Sequence, residues 1–152
     1  SNQPHKEYLD FVRESYDKSD ATDKYIINIK NGLDFVLQKE NIQTAFFSII
    51  RNSNLVGHLG IIKYSMDEAF FGFFEMADKN DFEELWESVI TEAAGMGITT
   101  IFGPVNGSVW HSYRVISETN KEPFFLNEPI TSLEYYQLFC NSNPSKKINY
   151  YY

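Results

Sequence analysis

A carboxylate directly follows an apolar run near the middle of the chain, where Glu75 comes after the stretch 69–74. Such a run is typical of a buried strand, and a carboxylate at its end can accept a proton from an amine if burial raises its pKa. The more common alternative is a carboxylate that meets solvent, because glutamate is seldom buried without a partner. Glu75 is therefore a candidate catalytic base, with solvent exposure as the competing interpretation.

A second group of candidates follows Gly103-Pro104, where another short apolar run ends. The side-chain amide of Asn106 can bind a ligand, or it can cap the helix that follows. Aromatic and cationic side chains after it can form a wall for a carboxylate or acyl group. Packing of Trp110 in the core and pairing of Arg114 with Glu118 would explain the same residues. The candidate binding residues are Asn106, Ser108, Trp110, Tyr113, Arg114 and Glu128, the last of which could orient Arg114.

The sequence carries no pattern that is typical of a metal or nucleotide site. Its histidines, His5, His58 and His111, lie far apart and lack the spacing of metal ligands. It contains no nucleophile elbow, Walker loop or dinucleotide fingerprint. The one cysteine, Cys140, is expected to act as a small apolar side chain on a helix. We therefore expect no metal cofactor.

Apolar periodicity predicts the elements that must position these side chains. Residues 25–40 fit a helical stripe, although Asn31-Gly32 also indicates a hairpin, and the period favours the helix. Gly57 and Gly60, in the second strand of a meander, indicate a bulge or a close backbone contact. The predicted helices are 4–17, 25–40, 81–96, 108–116 and 132–141, and the predicted strands are 45–50, 55–64, 69–74, 99–102 and 148–152.

Two helix starts carry possible capping residues. Thr22 or Asp23 can cap the second helix, and Asp81 with Glu84 forms a capping-box-like pair at the start of the third. The segment between 118 and 129 contains two prolines and is long enough to line a cleft. The resulting order is two helices, a three-stranded meander, a helix, a strand, two helices and a final strand, with no internal repeat.

The element order predicts an α+β fold with a mixed sheet. An antiparallel meander leads through a helix into a parallel strand, and helices on both faces make three layers, α/β/α. We expect the meander and the parallel strand 99–102 beside it to part and to open a groove floored by Asn106. The 152 residues fit a single domain, which could also be one half of a two-lobed protein.

Composition limits the partners. The formal net charge is −8, so nucleic-acid binding is disfavoured, since phosphate neutralisation by Lys and Arg supplies most of that affinity. No apolar stretch approaches the length of a membrane span, which favours a cytoplasmic protein. The expected partner is a small-molecule substrate. Aromatic residues make up 16% of the chain, so an aromatic face that mediates a homodimer is a further hypothesis.

Four motifs, together with the element order, resemble the GNAT family of acyl-CoA-dependent N-acyltransferases. The matching segments are FGFFE at 71–75, GPVNGS at 103–108, EP at 128–129 and YYQLF at 135–139, within a resemblance that covers about residues 40 to 152. They are similar to a bacterial subgroup of GNAT-like proteins. The resemblance implies a GNAT-like fold and transfer of an acyl group from acetyl-CoA or another acyl-CoA to a small amine. It also implies Glu75 as the base and Tyr136 beside the cleft.

The sequence departs from the family at two places. GNAT enzymes hold the CoA pyrophosphate on a glycine-containing loop before a helix, whereas residues 76–84 here contain no glycine and four acidic residues. Phe139 stands where the family often has the tyrosine that protonates the leaving thiolate, so Tyr135 and Tyr136 are the substitutes. These departures support an alternative function, a non-catalytic GNAT-fold module for ligand binding or dimerisation.

Overall fold

A four-stranded mixed sheet forms the centre of the structure. The structure, a computed structural model, describes residues 1–108, 110, 111, 115, 116 and 132–144. The strands are β1 (Gln43–Arg51), β2 (Asn54–Lys63), β3 (Glu68–Met76) and β4 (Thr100–Phe102). They lie side by side in chain order; β2 is antiparallel to both β1 and β3, and β4 is parallel to β3.

Helices cover both faces of this sheet. On one face, α1 (Tyr8–Glu14) and α2 (Asp20–Leu37) pack against a core that includes Phe73. On the other, α3 (Phe82–Gly95) and α4 (Leu133–Asn141) pack against a core that includes Phe71 and Phe74. No helix within the described residues is long and apolar enough to cross a membrane. The mixed α+β arrangement predicted from the sequence is thus confirmed.

An extra residue in β3 changes the direction in which its side chains point. His58 pairs with Glu75 and Gly60 pairs with Gly72, so one residue of β2 faces two residues of β3. Phe73 takes the left-handed backbone conformation, with φ of 51°, which is unusual for a bulky side chain. Before this bulge, Phe71 points to the α3 and α4 face; after it, that face receives Phe74, and Phe73 points to the α1 and α2 face.

The ambiguity at residues 25–40 is resolved in favour of a helix. Asn31-Gly32 lies inside α2, and the hairpin alternative is wrong. Gly32 is needed there because a Cβ would collide with the backbone carbonyl oxygen of Asn106. A glycine at this position therefore marks a close contact between α2 and the chain that follows β4. In the sequence, such a glycine looks the same as one that forms a turn.

The predicted cap of α2 is wrong, and that of α3 is right in position but not in its side-chain hydrogen bond. The Ser19 side chain caps α2 by accepting a hydrogen bond from the Thr22 N–H at 3.2 Å. At α3, Asp81 makes no side-chain cap, because a 3₁₀ turn, Lys79–Asp81, precedes the helix and Asp78 caps that turn instead. The Asp78 carboxylate accepts a hydrogen bond from the Asn80 N–H at 2.9 Å.

Other expectations about elements have mixed outcomes. The first helix is shorter than the predicted 4–17, whereas Ser132 caps α4 where a helix start was expected. Register shifts lie next to Gly57 and Gly60, as expected from their positions. The predicted strand 148–152, the segment 118–129 and most of the helix 108–116 lie outside the described residues.

A substitution at Gly72 tests the close contact between β3 and the chain after β4. A Cβ at Gly72 would collide with the Val105 carbonyl oxygen, which is backbone and cannot turn aside. We expect Gly72→Ala to lower the free energy of unfolding by about 1–3 kcal/mol, measured by urea denaturation. Gly95→Ala is the matched control, because nothing lies within 4 Å of that position, and in a helix it should add about 0.5–1 kcal/mol. Equal stability of Gly72→Ala and the native chain would contradict the contact.

Candidate functional site

The carboxyl group of Glu75 is buried at the end of β3. Only 1% of the residue is exposed, so the interpretation as a solvent-facing carboxylate is wrong. Burial raises the pKa of Glu75 from 4.5 to about 7, although hydrogen bonds from Tyr135 and the Met76 N–H, together with the nearby Tyr16 hydroxyl, act in the opposite direction. A carboxyl group with this pKa can both hold and release a proton near neutral pH.

Four tyrosines surround the Glu75 carboxyl group. Tyr8 comes from α1, Tyr16 from the segment between α1 and α2, Tyr25 from α2 and Tyr135 from α4. Burial raises the pKa of each phenol, and the charge of Glu75 raises it further. All four therefore stay protonated and act as neutral hydrogen-bonding groups around one acid.

Tyr135 joins Glu75 to the end of β3. Its hydroxyl donates a hydrogen bond to Glu75 Oε1 and accepts one from the Met76 N–H at 3.0 Å. It thus occupies a place beside β3 where a further strand would otherwise pair. This position explains how a residue of α4, on one face of the sheet, reaches a carboxyl group on the other.

Three buried polar atoms in this cluster have no hydrogen-bond partner among the described residues. They are Glu75 Oε2 and the hydroxyl oxygens of Tyr8 and Tyr16. The Tyr16 hydroxyl is close enough to the carboxyl group to lower its pKa, but it completes no hydrogen bond with it. Buried polar groups without partners are costly, and in native proteins they often face a water molecule or a ligand.

His58 fixes the wall of the cluster beneath Tyr8. Its Nδ1 lies 2.8 Å from the Phe73 carbonyl oxygen, which can only accept, so Nδ1 carries the proton. Its Nε2 then accepts a hydrogen bond from the His5 N–H at 3.4 Å. Burial lowers the pKa of His58 to about 4, so the ring is neutral at pH 7. The Tyr8 ring stacks on it, with 3.9 Å between the ring centroids.

Asn106 holds the bulge on its other side. Its Oδ1 accepts a hydrogen bond from the Phe73 N–H at 2.6 Å, and its side chain also interacts with the Tyr25 hydroxyl. Just before it, the Val105 N–H donates to the Phe71 carbonyl oxygen at 2.8 Å. Asn106 is 7% exposed, so in this structure its amide positions β3 and Tyr25.

The other predicted site residues do not gather at Glu75 within the described part of the chain. Ser108 Oγ bonds to His111 Nδ1 at 2.8 Å and accepts from the Trp110 N–H at 3.2 Å. Trp110 is 84% exposed, so the alternative that it packs in the core is wrong. Tyr136 is half-buried beside Tyr135, the residue that contacts Glu75. Tyr113, Arg114 and Glu128 lie outside the described residues.

Sequence reasoning missed most of the side chains around Glu75. Tyr8, Tyr16, Tyr25 and His58 come from separate elements, and nothing in their spacing links them. The available signal was composition, since ten tyrosines in 152 residues predict hydroxyls at the edge of a core. Within the described residues, no group of His, Cys, Asp or Glu side chains could hold a metal ion.

Several carboxylates lie at the start of α3, and an arginine forms ion pairs with two of them. The Arg51 guanidinium, at the end of β1, donates to Glu84 at 2.6 Å and to Asp81 at 3.4 Å. With Asp78 on the preceding turn, the helix start carries its own anions.

One hollow of about 290 Å³ lies elsewhere, and none of the residues around Glu75 lines it; its lining is Ser1, Asn2, Thr44, Ala45, Phe47 and Glu92.

Comparison of the chain with protein-family models, with curated protein sequences and with solved structures gives no match. The chemistry of the site must therefore be inferred from its own residues.

Glu75 and His58 make the stability depend on pH in opposite directions. Folded Glu75 keeps its proton up to about pH 7, but the unfolded chain releases it near 4.5, so this contribution is full below pH 4.5 and is lost as the pH rises toward 7. Folded His58 stays neutral down to about pH 4, but the unfolded chain is protonated below 6.5. The His58 contribution is therefore full above pH 6.5 and is lost as the pH falls toward 4.

Replacing one of the two groups should reveal how the other makes the free energy of unfolding depend on pH. In Glu75→Gln we expect the free energy of unfolding to rise between pH 4.5 and 6.5, by up to about 3 kcal/mol, from about 1.4 kcal/mol for each unit of pKa difference. In His58→Gln it should fall over the same interval. Urea denaturation at a series of pH values measures both, with the exposed Glu87→Gln as control. Parallel pH profiles for all the variants would contradict the assignment.

Tyr135→Phe tests the contact that holds Glu75. The change leaves the Met76 N–H with only its longer, 3.4 Å contact to Glu75, so we expect a loss of about 1–3 kcal/mol in the free energy of unfolding. It should also raise the pKa of Glu75 further, because the hydrogen bond from Tyr135 lowers it. Carboxyl ¹³C NMR titration measures that pKa. Tyr64→Phe is the control, since Tyr64 is 41% exposed; an unchanged Glu75 pKa in Tyr135→Phe would refute the contact.

Proposed function

We propose that this chain is a GNAT-like N-acyltransferase that moves an acyl group to a small amine, with Glu75 as the base. The observation that carries the proposal is the buried carboxyl group with a pKa of about 7 at the end of β3. A protonated amine must lose a proton before its nitrogen can attack an acyl carbonyl. A base is most effective when its pKa lies near the working pH.

The three buried atoms without partners support a position for the amine. A primary ammonium group has three N–H donors, and Glu75 Oε2 with the oxygens of Tyr8 and Tyr16 offers three acceptors. Ionised Glu75 would balance the positive charge, and the faces of the tyrosine rings favour a cation. The proton then moves from the ammonium nitrogen to Glu75, directly or through one water molecule.

Tyr135 supports the proposal as a positioning residue. It donates to Glu75 Oε1, which leaves Oε2 without a partner among the described residues and able to accept the proton of the amine. Asn106 contributes indirectly, because it holds the bulge that turns Glu75 toward the tyrosines. Tyr136, Ser108, Trp110, Tyr113, Arg114 and Glu128 remain proposed residues of the cleft.

Acyl-CoA is the donor that the resemblance implies, and the residues at the start of α3 do not fit its pyrophosphate. Backbone N–H groups at a helix start bind phosphate where glycine permits close approach and no anion competes. Here Asp78 already accepts the Asn80 N–H, and Asp81 and Glu84 add negative charge. We derive no step of the reaction through the pyrophosphate.

An acyl-transfer assay tests the proposal. Purified protein is supplied with acetyl-CoA or a short acetyl thioester and a panel of small primary amines, and released thiol is measured. We expect Glu75→Gln to reduce kcat/KM by about 10²–10⁴-fold, the usual contribution of a general base. In the native chain kcat/KM should rise with pH and level off above about 7, because the base must be unprotonated.

Glu87→Gln is the matched control, because this carboxylate lies exposed on α3 and should leave the rate unchanged. Absence of transfer to every amine, or equal rates in Glu75→Gln and the native chain, would overturn the proposal.

A second candidate is a non-catalytic ligand-binding or dimerisation module, and the edge of β3 favours it. The backbone groups along that edge are already bonded: Phe71 to Val105, Phe73 to Asn106 and Met76 to Tyr135. An extended acyl donor therefore finds few open backbone groups there. Sedimentation equilibrium, calorimetry and the transfer assay decide together: a monomer that binds acetyl-CoA and transfers its acyl group excludes this candidate, and a dimer that binds no donor supports it.

A further inference from the structure

The start of α3 differs in charge from an anion-binding helix end. Residues 78–84 contain four carboxylates and one lysine, and the Arg51 guanidinium forms ion pairs with two of these carboxylates. Helix N-termini attract anions, but a carboxylate supplied by the chain itself already meets that attraction. Two side chains of this cluster, Asp81 and Glu84, are tied to β1 through Arg51.

The backbone at this position is also occupied. The Asp78 carboxylate accepts the Asn80 N–H, and the Asp81 N–H donates to the Asp78 carbonyl oxygen at 3.1 Å. A pyrophosphate that arrived here would have to displace the Asp78 side chain and approach three further carboxylates. The absence of glycine in 76–84 leaves no position that lets a phosphate come close to the backbone.

We infer that Asp78, together with Asp81 and Glu84, which pair with Arg51, determines the donor by excluding nucleotide anions from α3, so that the donor is an uncharged acyl thioester recognised without its nucleotide. Recognition then rests on the acyl group and the thioester sulfur. The inference about the donor depends on the proposed acyl transfer, whereas the exclusion of anions does not. The two parts can therefore fail separately.

The first experiment measures anion binding directly. Inorganic pyrophosphate is titrated into the ¹⁵N-labelled protein, and the amide signals of residues 79–84 are followed by NMR. We expect no saturable shift in the native chain. In Asp78→Asn/Asp81→Asn/Glu84→Gln we expect saturable shifts, because asparagine keeps the capping acceptor at 78 while three negative charges are removed. Glu87→Gln, which removes a charge further along α3, should behave as the native chain does.

Saturable binding of pyrophosphate to the native chain would overturn the inference. So would a triple variant that still binds none, because the carboxylates would then not be what excludes the anion. Circular dichroism establishes that the triple variant keeps its helices. The triple variant also removes the two ion-pair partners of Arg51. The single change Asp78→Asn leaves both ion pairs intact, so a gain of pyrophosphate binding in this variant is an independent measurement.

The second experiment compares acetyl-CoA with S-acetyl-N-acetylcysteamine as donors. We expect kcat/KM values within about tenfold of each other, a difference of about 1.4 kcal/mol. A preference for acetyl-CoA greater than that would overturn the inference, since the nucleotide would then supply binding energy. If neither donor reacts, the proposed function fails, and the pyrophosphate titration still decides whether α3 excludes anions.

Discussion

The extra residue in β3 is the constraint on which the site depends. Without the bulge at Phe73, alternation would continue through Phe71 and would point Glu75 toward α3 and α4. The bulge moves the carboxyl group to the opposite face, among tyrosines from α1 and α2. Two side-chain contacts hold it there, because Asn106 accepts the Phe73 N–H and His58 donates to the Phe73 carbonyl oxygen. The left-handed backbone at Phe73 costs on the order of 1–3 kcal/mol, which these bonds and the packing around the ring must offset.

Burial of Glu75 follows from this rotation and sets what the site can do. An ionised carboxylate in an apolar core is costly, so the protein can stabilise Glu75 either by keeping it protonated or by surrounding it with donors. It does both, because burial raises the pKa to about 7 while Tyr135 supplies a donor to one oxygen. The neutral His58 ring beneath Tyr8 adds no positive charge, so it forms no ion pair with the Glu75 carboxyl group. With this pKa, the carboxyl group is partly protonated and partly ionised near neutral pH.

The sequence predicts the parts of this fold that are local and misses those that depend on distant contacts. The meander, α3 and the parallel β4 have clear periodicity, and Gly57 and Gly60 marked the region of the irregularities. The side of the sheet that Glu75 faces was not predictable, because one inserted residue in a run of phenylalanines leaves no trace in the alternation. Gly32 showed the same limit, since it resembles a turn residue but instead makes room for Asn106. The cap at α3 failed for a related reason: Glu84 pairs with Arg51, which lies 33 residues away.

The end of β3 and the start of α3 both carry acidic side chains, buried in the first case and at the surface in the second. At the end of β3, a carboxyl group is buried with open hydrogen-bonding capacity around it, which suits an amine. One turn later, at the start of α3, carboxylates fill the place where a helix would otherwise attract a phosphate. Both ends favour cations over anions, in keeping with a net charge of −8. Under the proposed acyl transfer, such a chain would select a positively charged acceptor and would recognise its donor by something other than charge. On that proposal, the start of α3 restricts the chemistry of the donor, and the tyrosine cluster selects the acceptor.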